Sequence, residues 1–126
     1  MQYLLFIRAN PEAAASMTPE EMQRIGAAVG EFDAKISEQG HNLGSIRLQP
    51  PETAVTLATV EGEVVRTDGP FAETKEQIGG IYCIDAANQD EAVNIASQLA
   101  TLKFSTIEVW PVLGIDLRGA VFEMHH

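Results

Sequence analysis

A length of 126 residues suits one domain, and a single core can bury enough apolar surface to fold at this size. With 45% apolar and 21% charged residues, the composition is that of a globular protein and excludes disorder as the overall state. Eight basic residues against eighteen acidic ones leave a net charge of −10, which repels phosphate backbones and anionic lipids, so no nucleic-acid or membrane partner is expected.

Tyr3-Leu4-Leu5-Phe6-Ile7, closed by Arg8, has the length and character of a central strand buried on both faces. It is too short for a secretion signal or a membrane span, and a cytoplasmic location is expected. Asn10-Pro11 breaks the run, and an Ala-rich connector follows. Thr18-Pro19-Glu20-Glu21 is a helix start: Thr18 accepts from the first turn, Pro19 lacks the N–H that would go unpaired, and Glu21 reaches back. Met22, Ile25, Val29, Phe32 and Ile36 then form one apolar stripe, and Gly40 supplies the left-handed stop. This predicts an amphipathic helix over about residues 19–39.

Next, Ile46 and Leu48 alternate with Arg47 and Gln49, Pro50-Pro51 interrupts, and residues 53–60 are rich in β-branched side chains. Glu61-Gly62 turns into residues 63–66, so a hairpin is predicted. Asp68-Gly69-Pro70-Phe71 has turn chemistry. Gly79-Gly80 precedes a second buried run, Ile81-Tyr82-Cys83-Ile84, whose lone cysteine reads as a small hydrophobe and excludes a disulfide framework. Asn88 with Glu91 starts a second helix, with Ala92, Val93, Ile95, Ala96 and Leu99 inward, and residues 104–113 return as a strand containing Trp110.

Two right-handed crossovers in such an order place both helices on one face of the sheet, which predicts an α+β domain of ferredoxin-like topology over residues 1–113, with 114–126 as a C-terminal tail. Helices cover one side only, yet Leu4, Phe6 and Leu5, Ile7 are apolar on both, as are Ile81, Cys83 and Tyr82, Ile84. The bare side needs a cover. A second copy, giving a homodimer, is the simplest; the tail folding across that face is the alternative.

The acidic loop carries the candidate chemistry. Asp68 either caps the turn through its own backbone or acts with Glu73 in general acid–base catalysis, helped by Lys75 and Glu76 on the same loop. Gly69, Pro70 and Phe71 would line a small-molecule cleft, although a phenylalanine also plugs cores. Tyr82 and Arg8, on or at the ends of central strands, are further ligand-binding candidates, with packing and edge roles as their alternatives. Gly79-Gly80 lets the backbone pass close to a ligand or to a neighbouring strand. His41 follows the helix end, where the dipole alone favours it. No metal-ligand spacing, nucleotide fingerprint or nucleophile motif appears, so neither metal nor cofactor is expected.

The stretch Thr67-Asp68-Gly69-Pro70-Phe71-Ala72-Glu73-Thr74-Lys75-Glu76-Gln77-Ile78-Gly79-Gly80 resembles the signature of the YCII-related proteins, in the branch named for Asp-Gly-Pro-Phe. The likeness extends to Pro19-Glu20-Glu21-Met22, Leu48-Gln49-Pro50-Pro51-Glu52-Thr53-Ala54 and Ile107-Glu108-Val109-Trp110-Pro111-Val112. The resemblance implies a dimeric α+β barrel with a cleft near the interface. Some relatives act on small aromatic compounds, some carry a proposed His–Asp pair, and the branch is often encoded beside sigma factors. That pair would fall near Val29 and near Leu99 or Ala100 here, and neither polar group is present. Two functions are therefore expected side by side: a cofactor-independent lyase or isomerase, or a non-catalytic metabolite-binding accessory of a transcriptional system.

Overall fold

The computed structural model describes residues 1–71, 76–103 and 106–116. β1 (Gln2–Ala9) leads to α1 (Pro11–Ala15) and α2 (Pro19–Glu38), then to β2 (Asn42–Arg47) and a 3-10 turn (Pro51–Thr53). β3 (Val55–Val60), β4 (Glu63–Asp68), β5 (Gln77–Asp85), α3 (Gln89–Lys103) and β6 (Thr106–Pro111) follow. The Ala-rich segment read as a connector is the short helix α1. Asn10 caps it and Pro11 opens it, so the residues that end the strand also start a helix.

Four strands form one antiparallel sheet in the order β2-β5-β1-β6, and β3-β4 form a separate hairpin. β1 and β2 run in one direction with β5 between them, and β5 and β6 in the other with β1 between them. This arrangement of two split β-α-β units is compatible with a ferredoxin-like α+β fold that carries the hairpin as an insertion.

Local chemistry sets the elements. Glu21 N–H donates to the Thr18 hydroxyl at 3.1 Å and the Glu21 carboxylate accepts from Thr18, completing the capping box of α2. Gly40, at φ +80°, ends that helix. Glu61 and Gly62, both at positive φ, make the tight turn whose twist matches the hairpin. At α3, Asn88 accepts from Glu91 N–H at 3.0 Å, and the Glu91 carboxylate accepts from Ala87 N–H at 3.0 Å.

One core lies between the sheet and α2 with α3. Tyr3, Leu5 and Ile7 of β1, Tyr82 and Ile84 of β5, Phe32 and Ile36 of α2, and Ala92, Ile95, Ala96 and Leu99 of α3 are all buried. Two inward assignments are corrected. Val93 is exposed, because the buried stripe of α3 runs through Ala92, Ile95, Ala96 and Leu99 and leaves its neighbour outside. Met22 is exposed too. The buried residues of α2 are Phe32 and Ile36, in its C-terminal half, so its first turns contribute none to the core.

Candidate functional site

Strand alternation sends Leu4, Phe6 and Arg8 of β1 to the side of the sheet away from the helices. Register places Cys83 opposite Leu4 and Ile81 opposite Phe6, with Ile46 opposite Ile81 on the far side. On β6, Trp110 lies opposite Leu4 and Glu108 opposite Phe6, and the Phe6 and Trp110 rings meet edge to face at 6.4 Å. Ile46 and Trp110 are each more than half exposed. A shallow depression of about 370 Å3 opens here, bounded by Leu4, Phe6, Trp110 and Val112. The helix-free side of the sheet is thus largely apolar.

Arg8 stands at one end of this face. Its Nε donates to Glu108 Oε2 at 2.7 Å. That bond is the main reason the Glu108 carboxyl lies below its ordinary range; desolvation opposes it, while the Arg8 charge and a bond from Trp110 add to the lowering. Glu108 escaped the sequence reading. A lone acid in the apolar run Ile107-Glu108-Val109-Trp110 was the available signal, since a half-buried charge needs a partner.

Beyond Arg8 the sheet meets the base of the hairpin, and a cleft of about 440 Å3 lies between them. Arg8 and Ile78 form its floor, Leu48 to Pro51 with Thr53 and Ala54 one wall, and Pro70 with Phe71 the other. The first wall is held by Leu48 N–H donating to the Gly79 carbonyl at 3.0 Å and by the 3-10 turn, where Thr53 donates twice to the Pro50 carbonyl. The second wall is fixed by Gly69. Its φ of +100° suits glycine, its N–H donates to the Ala54 carbonyl at 2.7 Å, and its carbonyl accepts from the Thr56 hydroxyl at 2.8 Å. Pro50, Pro51 and Pro70 limit how far the rim can deform.

The cleft therefore brings together Arg8, Pro70 and Phe71, with Gly69 shaping the turn. Phe71 is 90% exposed and plugs no core. Asp68 ends β4 with its side chain in solvent, 3.5 Å from Arg66, and its expected role as cap of the turn is taken by Gly69 and Thr56. Glu76 is exposed at the entry to β5. Glu73 and Lys75 lie outside the described residues. Of the two adjacent glycines, Gly80 answers to a neighbouring strand: a β-carbon there would stand 3.2 Å from the Ile46 carbonyl.

Tyr82 is placed on the other side of the sheet from Arg8, because it pairs with Leu5 and shares that residue's inward direction. Its hydroxyl donates to Asp33 Oδ1 at 2.6 Å and its ring packs against Phe32. Burial first, then the bond and charge of Asp33, push the phenol well above its usual range, with Arg47 opposing. Asp33 was also missed; a polar side chain beside the Phe32 and Ile36 stripe is what a buried phenol requires. Cys83 is half-buried on the helix-free face, and burial raises its thiol, which disfavours the reactive thiolate. His41 Nδ1–H donates to the Asp85 carbonyl at 2.8 Å, joining the end of α2 to that of β5.

Among the described residues no helix is long and apolar enough to cross a membrane, and no group of three or more His, Cys, Asp or Glu is placed to hold a metal ion. An uncharacterised protein of Rhizobium meliloti (strain 1021) is 37% identical over 107 residues, which covers 84% of this chain and 86% of that protein. Residues 1–116 match the YCII-related domain family. The chain belongs to the YCII-related family.

Proposed function

We propose that the chain works as a homodimer that binds a small molecule in the cleft between Arg8 and the Asp-Gly-Pro-Phe turn. The observation that carries this reading is the position of that cleft, at the edge of an uncovered apolar sheet face. A second copy packed on Leu4, Phe6, Ile46, Ile81 and Trp110 would close the face into a barrel and leave the cleft beside the seam. The hairpin supports the same assembly. Leu57 and Val64 on one of its sides and Val60 and Val65 on the other are exposed, whereas two free strands are marginal alone in water. In this reading Pro70 and Phe71, positioned by Gly69, form the ligand wall and Arg8 the floor, and Lys75 and Glu76 contribute to ligand binding. Tyr82 acts from beneath, seating α2 on β5.

The cleft's described lining holds no pair of carboxylates, which favours binding of a metabolite, as in an accessory of transcriptional control. A thermal-shift screen against a metabolite library, followed by mass spectrometry of the released ligand, is the test. A stabilising ligand recovered unchanged is the expected result; the absence of any stabilising small molecule would defeat the reading.

A second reading, a lyase or isomerase without a cofactor, is favoured by the position of Asp68 one residue before the cleft-shaping Gly69. Asp68 and Glu73 would then share acid–base work. A ligand recovered chemically altered, with conversion abolished by Asp68→Asn and Glu73→Gln in a folded protein, would establish it.

A further inference from the structure

We propose that the cleft takes a small organic carboxylate, gripped by Arg8, with its apolar body against Ile78, Pro70 and Phe71. This rests on the small-molecule reading above and adds the charge and class of the ligand.

Charge selects the ligand. The chain carries eighteen acidic residues, yet the described lining of the cleft includes none of them and one cation, Arg8. In a surface otherwise hostile to anions, that floor is an exception. Geometry agrees. Arg8 spends only Nε on Glu108, and among the described residues its two Nη groups have no partner. A guanidinium presents its donors as a planar fork, so the Nη edge remains for two parallel bonds to a second carboxylate. The side chain is 35% exposed, so an anion can reach it.

Glu108 sets the limit on ligand charge. Arg8 and Glu108 together are close to neutral, so a monoanion brings one uncompensated charge into the cleft and a phosphate dianion two, each at a further desolvation cost. The walls supply the rest of the specificity: Leu48, Pro50, Pro70, Phe71 and Ile78 offer hydrocarbon surface. A volume of about 440 Å3 falls within the roughly 300–1,000 Å3 of small-molecule sites.

The full-length protein is titrated with benzoate, benzamide and phenyl phosphate, followed by calorimetry and by amide NMR shifts at Phe71, Gln77 and Ile78. Benzoate should shift these amides and bind about tenfold more tightly than benzamide, the factor expected for one charge-assisted contact. Arg8→Met should bring the two to similar affinity, and Glu108→Gln, which leaves the guanidinium undivided, should tighten benzoate by several fold. Equal binding of benzoate and benzamide at these amides, or stronger binding of phenyl phosphate, overturns the carboxylate proposal but leaves the small-molecule reading standing. Silence of the cleft amides with all three probes counts against both. Should Arg8→Met fail to fold, the near-isosteric Glu108→Gln decides alone: no gain for benzoate refutes the role of Arg8.

Discussion

Replacing Tyr82 by phenylalanine removes one hydroxyl and leaves the ring against Phe32, so its effect isolates the 2.6 Å bond to Asp33. A hydrogen bond to a charged group contributes about 1.5–3 kcal/mol net when buried. Asp33 is only half-buried and water can replace part of the lost donor, so about 1–2 kcal/mol is expected. At about 2.1 cal/mol/K of unfolding entropy per residue over 126 residues, the Tm should fall by roughly 4–8 °C at fixed protein concentration. The pH dependence is a second readout. Because the folded-state phenol titrates above its unfolded value, its stabilising contribution is complete below about pH 10 and is lost as the pH rises towards the folded pKa. The gap between wild type and Tyr82→Phe should therefore narrow in alkali. Thermal melts from neutral pH to the alkaline limit of reversibility measure both effects. A Tm within a degree of wild type at neutral pH, or a gap that widens with pH, would refute the pairing.

Three further outcomes follow from the same geometry. Thr18→Ala should cost about 1 kcal/mol by denaturant unfolding, since it removes the hydroxyl that accepts from Glu21 N–H, the side-chain half of the capping box of α2. Glu108→Gln should be less stable than wild type at neutral pH; that difference should disappear as acid protonates Glu108, below the unfolded carboxyl value of roughly 4.3. Cys83 lies on the helix-free face, so a thiol reagent should label the assembled protein slowly and an Ile46→Asp variant, unable to bury that face, much faster; equal rates would argue against a covered face.

Much of the scaffold is legible in the chain because short-range chemistry writes it. Thr18 with Glu21, Gly40, Glu61-Gly62 and Asn88 each mark an end by a local bond or a backbone preference. The two-sided apolar character of β1 and β5 likewise shows in sequence, since alternation assigns Leu5 and Tyr82 to the helices and Phe6 and Ile81 to the other face. What stayed hidden depends on partners far away in sequence. Arg8 meets Glu108 across 100 residues, and Tyr82 meets Asp33 across 49; neither spacing has a local signature. The cleft needed a turn at residues 50–53, whose Pro50-Pro51 reads only as a break, to be set against Phe71 by the hairpin. Asp68 attracted attention by its charge, whereas the neighbouring Gly69 does the local structural work.

Sedimentation velocity across micromolar concentrations tests the central claim most directly, because every functional proposal above places the cleft beside a face closed by a second copy. The account predicts a single species of twice the 13.7 kDa chain mass, converted to the single-chain mass by Ile46→Asp. A wild-type protein that sediments as a lone, stable 13.7 kDa chain at those concentrations would contradict it.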